Sequence, residues 1–322
     1  MVIILFFQNL GDWLVSVAKF FTFLGFEEFY LLIMPAMYWC INSLIGTRLA
    51  VMLVATSGLN SVLKLVFHSP RPFWVSNEIK AFSSETSFGI PSGHAQNAFA
   101  LWGTWAGSLR NTWIWLIAGF VILMIGVSRL ILGMHFPIDV LLGWTFGGLL
   151  LWAFFKLEKP ALTWFTSKSV REQVTIILIT AAIILFIGNL TIFSLQNYEL
   201  PTAWIDNGTQ AGNTPDPISR DGFTTAAGVF LGFALGLLLI KEHANFDPGG
   251  IFWKRILRYL LGMVGTLAIW AGLKAVFPSG EELLPQALRL IRYAALGFWV
   301  AAGAPLVFKK LHLIDPRTSE SQ

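Results

Sequence analysis

The sequence predicts an all-α fold, a polytopic membrane helix bundle, on three observations. Only 12% of its 322 residues are charged, about half the ~25% of an ordinary soluble domain. Hydrophobic residues make up 55% of the chain and its mean hydropathy is +0.67. Apolar windows of the length that a bilayer core of ~30 Å demands of a helix recur from one end to the other. The same numbers exclude a soluble globular enzyme and a disordered chain. They also exclude a nucleic-acid binder. The formal net charge is +4, but Lys and Arg are scattered between apolar stretches instead of gathered on one face. The single cysteine, Cys40, forms no intrachain disulfide.

Taken in order, the first element is 2–24, where Asp12 and Lys19 interrupt an apolar pattern of helical spacing. That pattern predicts an amphipathic helix at the membrane interface, with no signal peptide because no basic stretch precedes it. Nine apolar windows follow, at 27–45, 47–67, 94–110, 112–133, 135–156, 172–196, 221–240, 252–276 and 286–308, of which 94–110 is the most polar. The long polar segments 68–93 and 197–220 are expected on one side of the membrane, the second as a surface loop rich in Pro, Gly, Asn and Asp. The basic linker 159–171 divides the chain into 1–158 and a helical extension, 159–322. The loops on the side opposite 68–93 carry 13 of the 22 Lys and Arg, Arg48, Arg110, Lys168 and Lys309 among them. The positive-inside rule makes that side, and the C-terminus, cytosolic, and the 68–93 side periplasmic, extracellular or lumenal.

Charged groups in or beside spans are costly and need an account. Lys64 lies near the end of the 47–67 window, and Arg71 is set between Pro70 and Pro72. Pro91-Ser92-Gly93-His94 opens the next helix, Ser128-Arg129 closes the 112–133 window, and His135 and Asp139 begin the one after it. Alternating helix direction brings all of these to one end of the bundle. Lys64, Arg71 and Arg129 supply three cations, two of them planar guanidiniums suited to grip a phosphate. Ser92 and Gly93 stand where a loop enters a helix, with free backbone N–H groups and a dipole that favours an anion. His135 and Asp139 are four residues apart and share a helical face, so the carboxylate can orient the imidazole as a nucleophile. His94 is left as the proton donor to a leaving oxygen. No spacing of Asp, Glu, His or Cys reads as a metal site, and the cations stand where a metal would otherwise neutralise phosphate charge. The reading is a metal-independent reaction with no cofactor.

These residues, Lys64-x6-Arg71-Pro72, Pro91-Ser92-Gly93-His94 and Ser128-Arg129-x5-His135-x3-Asp139, resemble the three-part signature of the type 2 phosphatidic acid phosphatase (PAP2) superfamily, with eleven specified positions in order. The similarity covers roughly 20–158. It implies a PAP2-type helical core and a phosphatase acting on a lipid phosphate or diphosphate, with membrane lipids as its surroundings. It implies His135 as the nucleophile forming a phosphohistidine, Asp139 as its partner and His94 at the leaving group. Lys64, Arg71, Ser92, Gly93 and Arg129 are implied as phosphate binders. The four-helix extension resembles the longer sphingosine-1-phosphate phosphatases, although no motif anchors it. A lipid phosphotransferase would use the same intermediate, and a non-catalytic lipid transporter or scramblase would use the pocket for binding alone.

Other features have plainer readings. Gly143-x3-Gly147 and Gly232-x3-Gly236 suit close helix packing. Pro278-Ser279-Gly280 reads as a turn, His68 as loop, and Trp102, Trp105, Trp113 and Trp115 as interfacial anchors. Asn207-Gly208-Thr209 matches a glycosylation acceptor.

Overall fold

The computed structural model describes residues 1–243 and 248–314. Among them every regular element is a helix. Seven helical stretches are long and apolar enough to cross a membrane, over Ser43–Val75 (broken at 68–71), Thr112–Ile131, Pro137–Thr166, Val170–Ser194, Asp221–Ile240, Phe252–Val276 and Leu283–Lys310. The chain is a multi-pass membrane protein.

Two of the nine predicted windows fall short of a span. The window 27–45 becomes α3 (Glu27–Ala36), which contains Pro35 and runs into a π-helical turn, Met37–Ile41. Proline removes a backbone donor and crowds the preceding turn, so the helix cannot continue undisturbed. The window 94–110 becomes α6 (Gly93–Leu109), 17 residues long and lined by buried Gln96, Asn97 and Thr104. The segment 2–24, expected as one interfacial helix, is two: α1 (Val2–Gln8) and α2 (Asp12–Phe23), bent by 108°. Gly11 makes the corner at φ +108°, a conformation closed to other residues. Segment 197–220 is not wholly loop, since it contains α10 (Thr202–Gln210).

The described residues form two compact units that interleave along the chain. The first comprises Met1–Tyr30, Leu59–Leu157 and Gly188–Ser219. Here α2 and α6 both pack on α7 (Thr112–Ile131). Ala98, Val121, Ile122 and Ile125 form a buried apolar cluster, with Leu24, Phe99, Trp102 and Trp144 against it. Trp102 stacks on Phe29, whereas Trp113 is 74% exposed. Helix α8 begins at Pro137 and meets α6 through its glycines. A Cβ on Gly143 would lie 2.7 Å from the Ser92 carbonyl oxygen, and one on Gly147 would lie 2.6 Å from that of Gln96. The absent side chains let the two backbones touch at the point where α6 starts.

The second unit comprises Leu31–Gly58, Glu158–Ile187 and the chain from Arg220 onward. Helices α11 (Asp221–His243) and α13 (Leu283–Phe298) pack along each other, with Gly232 against Ala294. Trp39 in the π-turn sits over Gly262 of α12 (Phe252–Val276) and edge-on to Phe308. Arg48 and Glu158 pair with a 2.6 Å Nε–Oε1 contact.

Candidate active site

All eight residues singled out from the sequence lie in the first unit. Local sequence fixes each. Arg71 precedes Pro72, which confines it to extended backbone (φ −92°, ψ 159°) ahead of the short helix α5 (Pro72–Val75). Ser92 is the N-cap of α6, yet its hydroxyl makes no capping bond. Its backbone N–H instead donates to the Asp139 carbonyl at 2.9 Å, which ties the start of α6 to the first turn of α8. Gly93 follows, and a Cβ there would press on the Asn60 amide oxygen at 2.9 Å. After α7, Gly133 turns the chain at φ +69°, and Met134 and His135 fold back into the unit.

The order of the protons on His135 can be read from its neighbours. Arg71 Nη1 lies 3.3 Å from His135 Nε2. A guanidinium has donors only, so Nε2 must accept and carries a lone pair. The other nitrogen, Nδ1, therefore bears the proton and donates to Asp139 Oδ2 at 3.2 Å. That same oxygen accepts from the Phe136 backbone N–H at 2.9 Å, which holds the carboxylate still. His135 stands in the turn between the helices ending at Ile131 and starting at Pro137, outside both spans. Burial, and then Arg71, Arg129 and Lys64, hold its imidazole well below the usual histidine range, so the ring is neutral. An oriented, neutral imidazole with its lone pair beside a guanidinium has the geometry that a nucleophile toward an anion requires.

The cations converge as predicted. Arg71 and Arg129 are both wholly buried. Arg71 is held by the carbonyls of Ser87 (2.6 Å), Met134 (3.0 Å) and Phe88 (3.2 Å). Lys64 Nζ donates to Ser87 Oγ at 2.7 Å, and Arg71 Nη2 donates to the same oxygen at 3.1 Å. Arg129 Nη1 donates to Thr22 Oγ1 at 2.6 Å. His94, first-turn residue of α6, lies edge-on to Phe26 with ring centroids 5.0 Å apart.

Three participants were not legible in the sequence. Glu85 joins Arg71 Nη2 and Arg129 Nη2, each at 3.3 Å, and lies 3.9 Å from His94 Nδ1. Burial alone would raise this carboxyl, but Arg71, Lys64 and Arg129 bring it down to about 2, and it is ionised. Ser87 is the shared acceptor of two cations, and Thr22 is the anchor of the third. A weak signal exists for Glu85: it lies on a segment tethered at both ends to cationic motifs. Glu78 lies there too, is exposed, and nothing in the sequence separates the two.

Four buried polar atoms of this cluster have no hydrogen-bond partner among the described residues: Ser92 Oγ, His94 Nε2, Arg129 Nε and Asp139 Oδ1. Unsatisfied polar atoms are costly in a protein interior, and two of these, Ser92 Oγ and Arg129 Nε, are donors that an oxyanion would satisfy. His68 is outside the cluster, its ring 5.0 Å from that of Tyr198. Asn207 Nδ2 donates to the Trp74 carbonyl at 3.0 Å.

Comparison with known proteins gives a consistent picture. The family model described as "PAP2 superfamily" matches residues 45–163, and that described as "PAP2 superfamily phosphatase, transmembrane extension" matches residues 224–317. Phosphatidylglycerophosphatase B of Bacillus subtilis is 30% identical over 151 residues, covering 43% of this chain and 72% of the relative. Sphingosine-1-phosphate phosphatase 1 of Mus musculus is 26% identical over 324 residues, covering 89% of this chain and 70% of the relative. Glucose-6-phosphatase 3 of Bos taurus is 31% identical over 170 residues; the match takes in 45% of this chain and about half (49%) of that protein's length. Among solved structures, the transmembrane PAP2-type phosphatidylglycerolphosphate phosphatase from Bacillus subtilis aligns with a TM-score of 0.44 at 27% identity, over 49% of this chain and 84% of that one.

Proposed function

Because the chain belongs to the PAP2 superfamily, we propose that it is an integral membrane phosphatase that hydrolyses a lipid phosphate or diphosphate through a phosphohistidine at His135. The observation that carries the reading is the relay Asp139 Oδ2, His135 Nδ1–H, and a lone pair on Nε2 facing Arg71. His135 Nε2 attacks phosphorus as the bond from phosphorus to the lipid oxygen breaks, and His94, brought to its protonated form by the negative charge of the incoming phosphate, gives the leaving oxygen its proton. A water that returns its proton to His94 then attacks phosphorus, the P–N bond breaks, and inorganic phosphate leaves. Phosphoryl transfer asks chiefly for positioning and charge stabilisation. Lys64, Arg71, Arg129, Ser92 and the N–H groups opening α6 at Gly93 provide both around the equatorial oxygens. Three side-chain cations do the neutralising, so the scheme uses no metal.

A lipid substrate follows from the membrane setting and from the lipid phosphates in the names of two of the relatives. The head group enters at the 68–93 side, which the distribution of basic residues makes non-cytosolic. The test is release of inorganic phosphate by the purified protein from phosphatidic acid, phosphatidylglycerophosphate, sphingosine-1-phosphate and undecaprenyl diphosphate, with glucose-6-phosphate as the soluble arm and His135→Ala as blank. Release from at least one lipid and none from the blank supports the reading. Turnover of the sugar phosphate alone overturns the lipid assignment. Lipid movement without phosphate release overturns the enzyme.

A further inference from the structure

We propose that Glu85 is an internal competitor for the phosphate site, a carboxylate that occupies the guanidinium pair and must swing out before a substrate phosphoryl group is seated. The inference rests on the phosphate-site reading above and adds a residue to it. The two oxygens of Glu85 bridge Arg71 and Arg129 as two oxygens of a bound phosphate would, one to each Nη2 at 3.3 Å.

Two observations separate a competitor from a structural brace. The first is that each arginine has shorter hydrogen bonds to other partners. Arg71 has shorter bonds to the carbonyls of Ser87, Met134 and Phe88 and to Ser87 Oγ. Arg129 has its 2.6 Å bond to Thr22. The Glu85 contacts, at 3.3 Å, exceed the 2.7–2.9 Å usual for a charge-assisted pair. The second is the difference in burial. Both guanidiniums are wholly buried, whereas the Glu85 side chain is 21% exposed, so the carboxylate has solvent to move toward and the cations do not.

The backbone beneath Glu85 is anchored. Its N–H donates to Asn213 Oδ1 at 2.9 Å, and the next carbonyl, that of Thr86, accepts from the Asp216 N–H at 3.1 Å. Release therefore takes a rotation of one side chain and leaves the segment where it is. A phosphate dianion carries more charge to the pair than a carboxylate does, and it brings a third oxygen to a cluster in which Ser92 Oγ and Arg129 Nε have no hydrogen-bond partner. The exchange consequently favours phosphate when phosphate is present, at a cost in affinity set by Glu85.

The experiment is calorimetric titration of inorganic phosphate into the purified full-length protein in detergent at about pH 8, for wild type, Glu85→Gln and Glu85→Asp. Glutamine keeps the shape and loses the charge; aspartate keeps the charge and withdraws it by one methylene. The expected result is a phosphate Kd lowered about tenfold or more by Gln and by a smaller factor by Asp, with a matching fall in the Ki for phosphate as product inhibitor. The aspartate variant carries the test if the glutamine variant fails to fold. Phosphate binding that is unchanged or weakened in the folded variants overturns the competitor and leaves the phosphate site standing. Absence of phosphate binding in wild type and variants alike overturns the phosphate site and the competitor with it.

Discussion

At the scale of single residues, the account depends on a buried imidazole whose free nitrogen is fixed by its neighbours. His135→Ala removes the nucleophile, and phosphate release is expected to fall by more than about 10³-fold. Asp139→Asn is the finer test. It keeps the shape, but the amide can present its N–H₂ to Nδ1 and so favour the tautomer that places the proton on Nε2. A fall in kcat of about 10²-fold or more with little change in KM is expected, and an unchanged kcat would contradict the orienting role. The pH profile follows from burial and the three cations. His135 is held neutral well below the usual histidine range, so protonation of the nucleophile removes activity only as pH falls through that lowered value. The acid limb of kcat/KM should therefore lie below pH 6.5, and an Arg129→Gln variant, which removes one cation, should move it upward. Thr22→Val leaves Arg129 Nη1 with a lost partner in a buried place, at about 1–3 kcal/mol in stability, read by thermal unfolding. Lys64, Arg129, His135 and Asp139 were legible because each sits in or beside an apolar window where a charged or polar group is expensive. Thr22, Ser87 and Glu85 were not, because hydroxyls and loop carboxylates are ordinary at the places where they stand, and only the folded chain shows that they turn inward.

At the scale of elements, the positioning device is the contact of α6 with α8. Gly143 and Gly147 leave room for the Ser92 and Gln96 carbonyls at 2.7 and 2.6 Å from where a Cβ would stand. The Ser92 N–H reaches the Asp139 carbonyl across the same contact, so the helix start proposed to bind phosphate and the residue whose carboxylate holds His135 are set by one piece of packing. Gly147→Val should push the helices apart, destabilise the protein by about 1–3 kcal/mol and raise KM, while the same change at Gly119, where a Cβ meets nothing within 4 Å, should leave both unaltered. The small-residue spacing made this packing readable in advance. Helix ends were less readable. Hydropathy averages over a window, so it passed across Pro35 and the π-turn at Met37–Ile41, and across the corner at Gly11, where single residues and local backbone geometry decide the outcome.

At the scale of the whole molecule, composition sufficed for the class, since a chain with this little charge and this many apolar windows can bury its backbone polar groups in lipid only as helices. It could not give the grouping of those helices. The two compact units draw on three stretches of chain each, a pattern set by tertiary packing. Orientation is a separate claim, resting on the 13 basic residues of one set of loops. With Cys40 changed to Ser, Ser84→Cys should react with a membrane-impermeant maleimide in intact cells and Ser167→Cys only after lysis; the reverse pattern would place the site in the cytosol. Excess EDTA is expected to leave turnover unchanged, and activity restored only by a divalent ion would refute the scheme in which Lys64, Arg71 and Arg129 neutralise the phosphate. The most direct measurement is of the intermediate itself. The protein is quenched in alkali during turnover of a phosphate-labelled lipid and mapped by mass spectrometry. The account predicts an acid-labile, alkali-stable phosphoryl group on His135, missing from His135→Ala. A label on His94, or none on any residue while phosphate is being released, would contradict it.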